Sequence, residues 1–335
     1  MENFTDGFIN PISPLVSREC YLSNKSFEEL FTEGEGVFFR FALRYKFYYL
    51  DEPLVVMREH KTNMGKAIIK NGDVHSFCMK KIAEDPDFPI EFIKPLKPFI
   101  ELHGLKNAKI ATKKVYPTNG NWKLTLDNFH ECYHCLPSHP EYCQVHSKEY
   151  IQAYGAGNNT GPQSKVFNKK LDEWNNKTKE LGYLTGEFSE INFSNFFRSA
   201  ERTPFDNNRL SETKSGKPAS TLMGNFKNFD GGYTTIGTSP FNSLIMSNDF
   251  ATTFTFIPRG PMKTDVEIMW LVDENASEGK DYNIDELTWM WNETTIADKR
   301  IIENNQNGVL SKKYKPGPLS TCLLYTSPSP RDKRQ

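Results

Sequence analysis

The segment Asn128-Phe-His-Glu-Cys-Tyr-His-Cys-Leu-Pro-Ser-His-Pro-Glu141 places three histidines, two cysteines and two glutamates within fourteen residues. Imidazole, thiolate and carboxylate are the side chains that bind transition metals, and no other stretch of the chain concentrates them in this way. Two ligand sets can be drawn from it. In the first, His134 and His139 supply two neutral imidazoles that, with one carboxylate, bind Fe(II) on one face and leave the other positions open. In the second, Cys132, His134, Cys143 and His146 imitate the Cys-x-His and Cys-x-x-His pairs of an iron–sulfur centre with mixed ligation. Only eight residues separate those pairs, and Pro137 and Pro140 lie among them. A cluster held between two loop tips needs a longer excursion, so the spacing favours the mononuclear set. His134 and His139 are five apart, which is not a one-face spacing on a regular helix. A helix ended by Pro137 and followed by a turn can bring the two rings together.

The elements that must position these groups are legible from periodicity. Residues 108–116 alternate as a strand, and 122–134 read as a helix with Trp122, Leu124, Leu126 and Phe129 as its apolar positions. Strand signals follow at 231–238, 241–247, 250–257 and 264–272; the last two flank Pro258-Arg-Gly-Pro261 and predict an antiparallel hairpin. Asp281–Asn307 reads as a long helix, with Asn283 as N-cap and Gly308 just past its end. Between these blocks, 155–220 is polar and reads as a long excursion with one helix near 168–181. Upstream, a short helix is expected near Ser26–Thr32, strands over 37–58, and a Pro-rich linker at 86–98. Helices, antiparallel strands and a late long helix together indicate an α+β fold.

Composition narrows the function classes. A chain of 335 residues with 37% hydrophobic and 25% charged residues can bury a sizeable core. A net charge of −1 makes no electrostatic case for nucleic acid or an anionic membrane as partner. No apolar run reaches the ~18 residues of a membrane span, and the first residues do not form a signal peptide. Six cysteines are too few for a disulfide scaffold, so reduced thiols and a cytoplasmic location are expected. The 25 phenylalanines fit a Phe-rich core, an aromatic-lined cavity, or both.

Asn121-Trp-Lys-Leu-Thr-Leu-Asp-Asn-Phe-His-Glu-Cys-Tyr-His134 with His139-Pro-Glu141 resembles the catalytic domain of Rieske non-haem iron ring-hydroxylating oxygenase α-subunits. The resemblance extends over roughly 85–320. It implies a helix-grip, START-like domain: an antiparallel curved sheet with a long C-terminal helix. It implies that His134 and His139 are iron ligands, that Asp298 in Thr295-Ile-Ala-Asp-Lys-Arg300 is the carboxylate ligand, and that Glu293 and Glu303 are its competitors. Glu131 matches the acidic residue that links the iron-site histidine to the neighbouring subunit's cluster, and Asn128 a polar neighbour of the iron. Glu-Cys-Tyr-His-Cys with Ser-His-Pro-Glu is most similar to the branch acting on quaternary ammonium compounds such as choline, glycine betaine and carnitine. Trp270, Trp289 and Trp291 are candidate cation–π walls for such a substrate. The implied activity is O₂-dependent hydroxylation or oxidative demethylation, with a reductase or ferredoxin as electron donor and a homotrimer as the assembly. The alternatives are aromatic-ring dihydroxylation and a non-catalytic ligand-binding module on the same fold.

The resemblance breaks in the N-terminal part. Glu52-Pro-Leu-Val-Val-Met-Arg58 and Gly72-Asp-Val-His-Ser-Phe77 resemble strands of the family's Rieske domain, yet Cys78-Met-Lys80 follows where Cys-x-His is due. No Cys-x-x-His pair follows before the catalytic domain, so [2Fe–2S] is a cofactor the family implies and for which no cluster-binding residues are found. Residues 1–84 are expected to be an incomplete Rieske-like β domain and 85–321 the mononuclear-iron domain. Cys322–Asp332 resembles the translation of a sequencing adapter, which makes 322–335 a non-native tail; its Ser/Pro composition would equally suit a disordered one.

Overall fold

A computed structural model describes residues 93–155, 161–192, 196–238 and 242–315. All belong to the second of the chain's two units, Ile93–Gln335. The expectations for residues 1–92, including the helix near Ser26 and the strands over 37–58, and the tail at 322–335 lie outside the described residues.

Seven antiparallel strands form one sheet in the order β1-β7-β6-β5-β4-β3-β2. They are β1 (Ala108–Thr118), β2 (Gly186–Asn192), β3 (Phe196–Pro204), β4 (Gly232–Thr238), β5 (Asn242–Met246), β6 (Ala251–Gly260) and β7 (Lys263–Asp273). From β2 to β7 each strand pairs with the next in sequence, β3 and β4 across the long connection 205–231, and β1 closes onto β7, with Lys113 opposite Met269 and Val115 opposite Glu267. Its α+β class is the one expected. The helices are α1 (Lys97–Leu102), α2 (Trp122–His130), α3 (Pro162–Glu180) and α4 (Ile284–Val309), with one-turn helices between α2 and α3.

Alternation decides which face is buried. In β7, Thr264, Val266, Ile268, Trp270 and Val272 all point inward, and Phe254 and Phe256 of β6 join them in the main core. Helices α2 and α4 cover this face, with Leu126, Leu287, Met290 and Trp291 packed into it. The opposite parity, Ala251 with Ile236 and Met246, packs against Leu96 and Phe99 near α1. Burying an aromatic or aliphatic side chain of this kind contributes roughly 1.5–3 kcal/mol, so the two-sided covering of the sheet is the main source of stability. Gly104 and Gly224, both left-handed at φ 60° and 54°, let two backbone segments touch where any Cβ would collide.

Several expectations are corrected. The hairpin forms, but its strands run to Gly260 and from Lys263, so the turn sits at Pro261-Met262. Helix α4 is capped by the Asn283 side chain, as expected, but continues past Gly308 to Val309. The polar excursion holds a longer helix, α3, and two strands, β2 and β3. Those strands were illegible because Glu, Ser, Arg and Thr fill them. Helix α2 ends at His130 rather than at 134, because Glu131 is extended (φ −119°, ψ 145°) and its Oε2 accepts the Tyr133 N–H at 2.7 Å. That side-chain bond replaces the next helical one. Pro137 lies inside the following one-turn helix, Cys135–Ser138, of which His134 is the N-cap.

The connection 205–231 carries little regular structure, and a buried carboxylate is among the groups that hold it. Asp249 accepts the hydroxyls of Ser211 and Ser247, each at 2.8 Å, and the N–H groups of Ala219 and Ser220 at 2.6 and 3.1 Å. Burial pushes the Asp249 carboxyl upward even so.

Candidate metal centre

The Asn121-Trp-Lys motif starts α2. The Asn121 Oδ1 accepts the Lys123 N–H, its Nδ2 donates to the Pro261 carbonyl, and its backbone N–H donates to Gln306 Oε1 of α4 at 2.8 Å. One residue thus ties α2 to both the β6–β7 turn and α4. This sets the distance at which Asn128, near the end of α2, meets Asp298 on α4: Asn128 Nδ2 donates to Asp298 Oδ1 at 2.8 Å.

The break after His130 then turns the chain so that two imidazoles reach the same oxygen. His134 Nε2 lies 3.1 Å and His139 Nε2 2.9 Å from Asp298 Oδ1, with the rings 5.1 Å apart and nearly perpendicular. Among the described residues, His134, His139 and Asp298 are the group of ligand atoms, all within 4.8 Å of one another, that could hold a metal ion.

The protons make the stronger argument. His134 Nδ1 is 2.7 Å from Glu131 Oε1, and a carboxylate only accepts, so the N–H of a neutral His134 sits on Nδ1. Its Nε2 then presents a lone pair to the Asp298 oxygen, and two lone pairs at 3.1 Å require a cation between them. Without a metal that cation is a proton. Burial by itself lowers the His134 pKa, but the hydrogen bonds and charges of Asp298 and Glu131 outweigh it and raise it to about 9. For Asp298, burial pushes upward and the bonds from His134, His139 and Asn128 prevail, holding it below the usual carboxylate range. The donor set therefore fits a divalent ion, with Glu131 fixing the ligand's tautomer from behind. Glu141 Oε1 stands 3.4 Å from His139 Nδ1 but accepts the Thr294 hydroxyl instead, and Nδ1 itself makes no hydrogen bond.

The competitors lie elsewhere. Glu303 Oε1 accepts the backbone and side-chain N–H groups of Asn119, and Glu293 accepts from Asn292 at the surface. The iron–sulfur set does not assemble. Cys132 is joined to Cys135 in a disulfide that brackets His134, correcting the expectation of reduced thiols for this pair. His146 is buried well inside, against Tyr142 and Tyr233, and burial lowers its pKa to about 3. His130 is half-buried, and desolvation lowers its pKa to about 4.

A pocket opens beside Asp298, walled by Asn128, Phe129, Phe254, Phe256 and Trp291, with Lys299 also on its lining. Of the three tryptophans singled out from sequence, only Trp291 reaches it; Trp270 is core and Trp289 packs against the core's edge. Sequence reasoning missed Glu212, whose buried carboxylate accepts the Trp291 Nε1–H at 3.0 Å. Nothing in the local pattern around Glu212 marks it out. No helix among the described residues is long and apolar enough to cross a membrane.

The family model described as "Ring hydroxylating alpha subunit (catalytic domain)" matches residues 105–327. The glycine betaine monooxygenase oxygenase subunit of Chromohalobacter salexigens is 30% identical over 250 residues, covering 74% of this chain and 54% of that protein. Its counterpart from Pseudomonas aeruginosa is 31% identical over 250 residues, covering 73% and 55%. The chain thus spans about half the length of these relatives. A solved quaternary ammonium Rieske monooxygenase, 17% identical, aligns over 69% of this chain and 47% of that one with a TM-score of 0.40.

Proposed function

The chain belongs to the ring-hydroxylating α-subunit family through its catalytic domain, and on that premise we propose that it is the terminal oxygenase component of a Rieske-type non-haem iron oxygenase acting on a quaternary ammonium compound. The observation that carries the reading is the convergence of His134 Nε2 and His139 Nε2 on Asp298 Oδ1, with Glu131 holding the opposite nitrogen of His134. Fe(II) held by these three residues would supply dioxygen activation, drawing its electrons from a reductase or ferredoxin; the [2Fe–2S] cluster that the family implies finds no Cys-x-His and Cys-x-x-His pairs upstream of the catalytic domain to hold it. Asn128 orients the Asp298 carboxylate and Glu131 orients His134; Glu131 is also the residue through which an electron from a neighbouring subunit of a homotrimer would reach the site. The aromatic walls exclude water and suit an N-methyl group carrying positive charge. Hydroxylation of such a methyl consumes O₂, two electrons and two protons, releases water, and leaves a hydroxymethyl group that departs as formaldehyde. Glycine betaine, carnitine and choline are the substrates to try first, and the cytoplasm is the compartment in which such an enzyme would work.

The test is iron first, then product. The chain purified anaerobically should bind about one Fe(II) at this centre, and with O₂, glycine betaine and a small-molecule reductant in place of the cluster whose ligands the sequence lacks should yield formaldehyde. No Fe(II) binding sinks the reading. Iron binding with hydroxylation of an aromatic substrate and none of the ammonium compounds would point to ring dihydroxylation. Iron and ligand binding with no turnover on either class would leave a non-catalytic binding module.

A further inference from the structure

Glu212 is buried to 1% exposure in the connection pinned by Asp249. Its two oxygens differ. Oε2 accepts the Trp291 indole N–H at 3.0 Å. Oε1 makes no hydrogen bond and faces His146 Nε2 at 3.8 Å, and neither nitrogen of that equally buried imidazole has a hydrogen-bond partner. Aromatic rings enclose the group: Tyr142 and Tyr233 pack on His146 at 4.1 and 4.7 Å, and Phe254 meets Trp291 edge-on at 4.9 Å. Among the described residues no lysine or arginine is ion-paired with Glu212. A buried carboxylate with an unmatched oxygen is an expensive feature to retain in a core that apolar side chains could fill. Trp291 lies seven residues, about two helical turns, before Asp298, and its ring is a wall of the pocket beside that carboxylate.

We propose that Glu212 is the specificity residue of this pocket: bonded to Trp291 from behind, it makes the aromatic wall selective for a cation, so that a trimethylammonium group is preferred to an uncharged tert-butyl group of the same shape. The proposal rests on the reading of the pocket as a quaternary ammonium site. An indole whose N–H is held by a carboxylate gains electron density on its face, where a cation is attracted. The carboxylate adds its own field, little screened because Glu212 and Trp291 are both buried. Lys299, at the pocket lining, lies 3.9 Å from Glu303, which offsets its charge.

The charge on Glu212 responds to the occupant. Burial pushes its carboxyl up to about 8, against the pull of the Trp291 N–H, and the charge of Asp249 adds to the rise. The other groups facing it are His146, held neutral by burial and by the charge of Arg209, and the phenols of Tyr142 and Tyr233, both raised by burial. A cation against Trp291 favours the ionised carboxylate, so binding releases a proton and strengthens as pH rises through about 8.

The test compares glycine betaine with 3,3-dimethylbutyrate, its carbon isostere, by calorimetry on the anaerobic Fe(II)-loaded full chain. The wild-type protein should bind betaine about tenfold more tightly. Glu212→Gln keeps an acceptor for Trp291 and should bind both ligands equally, with no proton release. Trp291→Phe, which cuts the link but keeps a ring, should also lose the preference and serves if Glu212→Gln does not fold. Preference and pH dependence that persist in either variant overturn the role of Glu212 alone. Wild-type protein that binds both ligands equally, or neither, overturns the substrate class and the role of Glu212 with it.

Discussion

His134 turns Nε2 onto Asp298 Oδ1 at 3.1 Å, while the proton of that imidazole is held on the other nitrogen by Glu131. The two ends of one ring therefore do different work: one is locked, the other is left as a lone pair that needs a cation. Removing any one of the three converging groups should remove the ion. His134→Ala, His139→Ala and Asp298→Ala are each expected to lower Fe(II) affinity by about 100-fold or more, read by iron content after anaerobic gel filtration. Glu293→Ala, Glu303→Ala and Cys132→Ser should keep the iron, since none of those side chains faces the site.

Glu131 acts through His134 and not on the ion. Glu131→Gln still offers an oxygen to Nδ1–H, so a loss of about tenfold in Fe(II) affinity is expected, and Glu131→Ala should lose about 100-fold. Equal affinities in the wild type and Glu131→Ala would show that the tautomer needs no fixing.

The metal-free protein should lose stability as pH rises, and the sign follows from His134. Its pKa in the folded chain is raised to about 9 by Asp298 and Glu131, above the ~6.5 of an unfolded histidine. The protonated ring then stabilises the fold fully below about 6.5 and ceases to do so as pH passes 9. Melting temperatures of the apo-protein between pH 6 and 10 should fall, and those of Asp298→Asn should fall less. With Fe(II) bound the slope should flatten, because the ion replaces the proton.

Asp249 is predicted to be the most sensitive polar residue away from the centre. Asp249→Ala strands two buried hydroxyls and two backbone N–H groups, with an expected loss of about 3 kcal/mol or more. Denaturant unfolding reads the loss. The same variant should release the connection that carries Glu212, so its betaine preference should disappear along with the stability.

Local pattern accounts for much of what is seen. The alternation in Ala251–Gly260 and Lys263–Asp273 marks the central hairpin because burial on one face imposes a period of two. The cap at Asn283 is legible because a free side-chain oxygen must meet the first N–H groups of α4. Asn128 to Glu141 could be read as a metal segment from residue types alone, and the resemblance named Asp298 as the third group. Helix α2 stops at His130 and not at 134, since a single bond from the Tyr133 N–H to Glu131 outweighs helical periodicity. Strands β2 and β3 are hidden by their polar residues, and their pairing comes from the register of β3 on β4 and of β2 on β3 and not from their own pattern. Only the tertiary structure brings Asp298 to His139 across 159 residues, because that meeting depends on how α4 is rotated over the sheet and on the cross-ties of Asn121. It alone sets Glu212 behind Trp291, since an acidic residue in a polar loop carries no mark of burial until the chain around it has folded.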